Sequence, residues 1–175
     1  MGKRYCICFL LGVLLFISCA CSREKTNVPV SAMYNAKLGI TVHLGMSKSE
    51  IDALFVIAPE LNREYVYLYN FSDEENRMSV QYKKEDETAV MLQTDGNGWR
   101  IYDSTCYIGA DTKNLSSNFH HDEGCSLDPR EERYLSYCEQ NGHVLQDARL
   151  DTFAFEVISY DGKIHRISMD NYYFR

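Results

Sequence analysis

Between Lys37 and Phe55 the chain changes its hydrophobic period. In "KLGITVHLGMSKSEIDALF", Ile40, Val42 and Leu44 alternate with Thr41 and His43, the period of a half-buried strand. Gly45 breaks the alternation. Ser47 and Glu50 then form an S-x-x-E pair: the serine hydroxyl accepts from the third helical amide, and the glutamate reaches back to the serine amide. Ile51, Leu54 and Phe55 fall on one helical face, and Pro59 stops the helix. From Arg63 to Ser104 strands dominate. "REYVYLYNF" (Arg63–Phe71) puts Tyr65, Tyr67 and Tyr69 on one face and Val66 and Leu68 on the other. "RMSVQYK" and "TAVMLQT" continue as hairpin strands, with the polar turns "SDEEN" and "KEDE" between them. "DGNG" (Asp95–Gly98) is a turn, and "WRIYDS" opens another strand.

The second half is less regular. "SLDPREERYLSYCEQNG" reads as a helix, with Asp128 as N-cap, Pro129 in the first position, Glu131 in the third and Asn141-Gly142 past the end. Tyr134, Leu135 and Cys138 would share its inner face. At the C-terminal side, Asp161-Gly162 between alternating runs predicts a type I′ hairpin. The order is strand, helix and strands, then strand, helix and hairpin. It predicts an α+β fold: an antiparallel sheet with two short helices on one face, arranged as two unequal copies of a helix-plus-strands unit.

Ahead of this body the pattern is different. Lys3 and Arg4 precede "YCICFLLGVLLFISCAC", and no further charge occurs before Arg23. Basic residues, an apolar run and small residues form the layout of a secretory signal. The run lies near the low edge of the ~20 residues a spanning helix needs, so an uncleaved anchor is the alternative. Phe16-Ile17-Ser18-Cys19 resembles the bacterial lipobox, with Phe16 where that family usually has Leu. The resemblance implies cleavage before Cys19, a diacylglyceryl group on its thiol and acylation of the new N-terminus. The other register ends at Cys21 and places Ser18 where the aliphatic residue belongs, which favours Cys19. A plain cleaved signal would leave both cysteines incidental. Stable anchoring takes two or more membrane signals, which triacylation satisfies. Ser22 to Ala36 is polar and aperiodic and reads as a tether. The expected layout is a signal peptide over 1–18, a lipidated N-terminus and tether over 19–36, and a single domain over 37–175.

Charge narrows the choice of partner. Losing residues 1–18 removes Lys3 and Arg4 and no acid, so 18 basic residues become 16 against 25 acidic ones, and the net charge moves from −7 to −9. Such a body is unsuited to nucleic acid, whose phosphates demand basic patches, and to electrostatic adhesion on anionic lipid. Membrane attachment therefore rests on the lipid anchor. Of the cysteines in the body, Cys106, Cys125 and Cys138 allow one disulfide and one remaining thiol. Sequence does not choose the pair, although a bridge through Cys125 would pin the long segment before Pro129. "FHHDEGC" offers His120, His121, Asp122, Glu123 and Cys125, but its spacing lacks the CxxC or HxxxH pattern of structural zinc, so neither metal nor cofactor is expected.

Leu44-Gly45-Met46-Ser47-Lys48-Ser49-Glu50-Ile51, followed by Leu54, resembles the opening motif of the SmpA/OmlA-type lipoproteins, accessory subunits of the outer-membrane β-barrel assembly machinery. A similar opening occurs in the wider group with the β-lactamase-inhibitor-protein-like fold. The likeness spans about twenty residues and lacks the family's Gly-x-Pro turn. It implies an envelope location, with the outer membrane favoured and the body in the periplasm or at the cell surface.

No catalytic signature supports an enzyme. G-x-S-x-G, H-E-x-x-H, P-loop and Rossmann patterns are missing, and His43, His120, His121, His143 and His165 have no motif around them. Thirteen tyrosines against one tryptophan, and above all the stripe of Tyr65, Tyr67 and Tyr69, point to a binding surface. The same stripe would pack equally well under a helix. The expected role is a non-catalytic module that binds an envelope protein or supports an assembly. An inhibitor or immunity protein, a carbohydrate or small-ligand binder, and a hydrolase with a dispersed site are the rivals.

Overall fold

The computed structural model describes residues 31–122, 128–139, 144–145 and 152–171. The signal segment, Cys19, Cys21 and most of the tether lie outside them, as do Glu123, Cys125, Asn141, Gly142 and His143.

The body starts before Lys37. Ala32–Asn35 form β1, which pairs antiparallel with β2 (Ile40–His43) across a short turn. Helix α1 (Lys48–Asp52) follows, then β3 (Glu60–Arg63), β4 (Val66–Tyr69), β5 (Met78–Tyr82), β6 (Ala89–Thr94) and β7 (Trp99–Arg100). A 3-10 turn at Thr112–Asn114 precedes β8 (His120–His121). The chain continues through β9 (Glu131–Glu139), β10 (Val144–Leu145), β11 (Thr152–Tyr160) and β12 (Lys163–Asn171). Two antiparallel sheets result. The smaller runs β2-β1-β7; the larger runs β10-β9-β11-β12-β6-β5-β4-β3, with β8 also on β9. Their apolar sides share one core, to which Met33, Val42 and Trp99 contribute from the small sheet and Tyr69, Leu92, Phe155 and Met169 from the large one.

The capping box forms as the sequence requires. Ser47 accepts from Glu50 N at 3.3 Å, and Ser47 N donates to the Glu50 carboxylate at 2.8 Å. The helix is shorter than its apolar stripe suggests. It ends at Asp52, after which Leu54 N and Phe55 N donate to carbonyls three residues back, a tightened last turn. The Asp161-Gly162 hairpin is also present: both residues have positive φ, 51° and 73°, as a type I′ turn demands.

The α+β expectation is corrected. The molecule is predominantly β, and among the described residues no helix reaches seven residues. The helix read across Asp128–Gly142 is, where described, strand β9. All nine of its residues pair with β11, from Glu131↔Tyr160 to Glu139↔Thr152, and β8 pairs along its other edge. This pairing turns Glu132, Tyr134, Ser136 and Cys138 to the same face at period two. The start signal was real but served another structure. Asp128 accepts from Arg130 N at 3.0 Å, and Glu131 N bonds Asp128 O, so the N-cap residue closes a turn instead of opening a helix. Tertiary pairing overrides a weak local propensity. With no second α-helix among the described residues, the two-copy arrangement falls as well.

Removing the cap tests the α1 assignment. Ser47→Ala should lower stability by about 1 kcal/mol, read as a shift in the urea midpoint with an unchanged slope.

Candidate functional site

The direction of the first strands gives the body two distinct ends. At the end where the described chain begins, Leu44 N donates to Ser31 O at 3.1 Å. Gly45 N bonds Ala89 O, and Lys48 N bonds Glu87 O, so this end sits beside the β5–β6 turn. From there β1 runs to Asn35, and α1 carries the chain to Phe55. The Phe55 ring packs on Tyr69 at 4.6 Å and on Trp99 at 6.4 Å. At this far end four loops meet: residues 36–39, 53–59, 70–77 and 95–98.

Buried asparagines stitch three of these loops together, 36–39, 70–77 and 95–98. Asn35 Nδ2 donates to Asn76 Oδ1 at 2.8 Å, and both side chains are fully buried. Asn35 Oδ1 accepts from Lys37 N and Leu38 N, which shapes the β1–β2 turn. Asn76 Nδ2 donates to Asp73 at 2.7 Å, and Trp99 Nε1 donates to Asn76 O at 3.0 Å. Gly98 has to be glycine for reasons of space: a Cβ there would stand 2.5 Å from Asn76 Oδ1 and 2.9 Å from Asn35 Nδ2. Salt bridges Lys37–Glu75 (2.6 Å) and Arg77–Asp95 (2.5 Å) cross between the same loops outside the core.

On this rigid frame stand apolar side chains that the core does not use. The described residues include six large hydrophobics that are exposed, and Leu38, Val56, Ile57 and Phe71 all lie on these loops. Leu61 follows on β3, and only Tyr107 lies elsewhere. Val56 is fully exposed. Monomeric proteins scatter single exposed hydrophobics, whereas contiguous exposed apolar patches are typical of interaction surfaces. The loops carry Lys37 and Arg77 against Asp73, Glu74, Glu75 and Asp95, so the apolar tips have an acidic surround.

The tyrosine stripe takes a different form. Tyr65 sits in the β3–β4 turn with φ 58°, half-buried, and is not in the strand. Tyr67 is half-buried; its ring lies 4.5 Å from Lys48 Nζ and edge-on to Tyr82. Tyr69 is completely buried, donates its hydroxyl to Asp52 Oδ1 at 2.7 Å and meets the Tyr82 hydroxyl at 2.5 Å. Lys48 pairs with the same Asp52 at 2.5 Å. Burial pushes both phenols far above their ordinary range, so they stay protonated. This cluster pins α1 onto β4 and β5 and leaves no exposed stripe. The surface that sequence reasoning missed lies just beyond the helix, in "VIAP" (Val56–Pro59). Its signal was an apolar run that continues after the face of α1 is already filled.

Of the other candidates, His120, His121 and His165 are exposed on strands, with His121 against Tyr134 and His165 against Tyr160. Asp122 pairs with Arg133. Among the described residues no three His, Cys, Asp or Glu side chains are placed to hold a metal. Cys106 and Cys138 carry free, buried thiols, so these two do not bridge. Burial raises the pKa of each, with Asp103 adding to the effect at Cys106. No family model matches the chain, and no curated protein or solved structure matches it either.

Two outcomes check this geometry. Asn76→Ala leaves the buried Asn35 amide without its acceptor and should cost about 1–3 kcal/mol in urea unfolding, whereas Ile57→Ala should stay within about 0.5 kcal/mol. In thiol-labelling mass spectrometry at pH 8, Cys106 should remain unmodified until denaturant is added, because its thiolate is suppressed and shielded.

Proposed function

We propose that the chain is an envelope lipoprotein, lipidated at Cys19, whose small β body binds another protein or supports an assembly without chemistry of its own. The observation that carries this reading is the two-ended build of the body. The chain enters the body at one end, through Ser31, and the unused apolar side chains gather at the other, on loops held by Asn35, Asn76 and Phe55. The apolar leader and the cysteine that closes it supply the anchor. The eleven residues between Cys19 and Ser31 reach at most about 40 Å when extended, at roughly 3.3–3.6 Å per residue. An anchored body therefore stays close to the bilayer and can present its loop end away from it. The inhibitor or immunity reading uses the same end: acidic loops with apolar tips suit occlusion of a basic target.

Metabolic labelling with radioactive palmitate tests the anchor. The wild type should label, Cys19→Ala should abolish the label, and Cys21→Ala should retain it. Absence of label from the wild type, or label surviving both substitutions, would overturn the lipoprotein reading.

A further inference from the structure

The loop end also specifies the kind of surface it meets. Resting on the protein-binding reading above, we propose that it docks end-on against a protein surface with an apolar hollow rimmed by Lys and Arg. Leu38, Val56, Ile57 and Phe71 would fill the hollow, and Asp73 and Glu74 would face the rim.

Charge selects this occupant. Lys37 and Arg77 are already paired with Glu75 and Asp95. Asp73 is tied to the loop frame through the Asn76 amide and the Glu75 N–H, which hold its carboxyl below the usual range and keep it anionic. Glu74 is exposed beside it. The end as a whole is net negative, so a second copy would bring like charges together around the same apolar tips. An anionic bilayer is disfavoured for the same reason, and because the chain enters at the opposite end of the body. A basic rim turns the same charges into attraction, steering approach while the apolar side chains supply the buried centre.

Preorganisation strengthens the case. Loops 36–39, 70–77 and 95–98 converge on the buried Asn35–Asn76 bond, where Trp99 donates to Asn76 and Gly98 lets the backbones approach, and Phe55 seats loop 53–59 on Tyr69 and Trp99. Part of the ordering of these segments therefore precedes binding.

Photo-cross-linking from the full-length chain in its own membranes tests the proposal. Benzoylphenylalanine is placed at position 57 or, as a control at the Ser31 end, at position 84, and the captured peptides are sequenced. The expected result is capture from position 57 of peptides in which apolar residues are flanked by Lys and Arg. Yield should drop several-fold with Glu74→Lys and recover with Glu74→Asp. Because Glu74 is outside the buried asparagine frame, these variants should unfold at the wild-type urea midpoint. Cross-links from position 57 to lipid, to a second copy of the chain, or to an acidic or uncharged peptide would overturn the proposal. So would a yield indifferent to Glu74→Lys. Protein capture from position 84 alone would overturn it while leaving the protein-binding reading standing; capture of no protein from either position would remove both.

Discussion

Two asparagine side chains meet inside the apolar core with 2.8 Å between donor and acceptor, and one whole end of the molecule is organised around that bond. A buried amide without partners is costly, so each group on Asn35 and Asn76 is committed. Asn35 turns the chain from β1 to β2, Asn76 receives Trp99 through its carbonyl, and Asp73 is drawn in by the remaining amide. Three loops that are distant in sequence are thereby held together, and Phe55 ties the fourth, 53–59, to them by packing on Trp99. Exposed apolar residues on such loops become a defined surface, because the backbone beneath them has nowhere else to go.

A second constraint joins the two halves of the chain. β6 pairs with β5 on one side and β12 on the other, so the last described strand closes onto the first hairpins. The resulting core crosses both sheets and receives Ile51 and Phe55 from the α1 segment, with Leu54 packed against it. Here the helix acts as a clasp. Its cap fixes where it starts, and Asp52, held by Lys48 and Tyr69, fixes it on the sheet.

The exposed apolar side chains therefore lie in a place different from the tyrosine stripe. Alternation correctly places Tyr67 and Tyr69 on one face of β4, but that face is the inner one, and Tyr65 leaves the strand at a positive-φ turn. The side chains left outside are Leu38, Val56, Ile57 and Phe71, which lie in loops without periodicity. A period reports which residues share a face. Which face meets solvent depends on what packs against it, and here that is α1 and the small sheet.

The amino-acid sequence alone determined the features that depend on a few neighbouring residues. These are the Ser47–Glu50 box, the Asp161-Gly162 turn, the alternating hairpin strands, the Asp95–Gly98 turn and the acidic balance of the body. Each is governed by local hydrogen bonds, backbone sterics or residue count, and needs no distant partner. Tertiary structure decided whether Asp128–Glu139 coils or extends, because a cap is worth about 1 kcal/mol while β9 pairs along its whole length with β11 and gains further partners in β8 and β10. It also decided that Tyr69 is core, that β1 precedes the expected start of the domain, and that Leu38, Val56, Ile57 and Phe71 are left exposed on loops. Those outcomes depend on contacts between segments tens of residues apart, whose free energies arise only when the partner strand is in place.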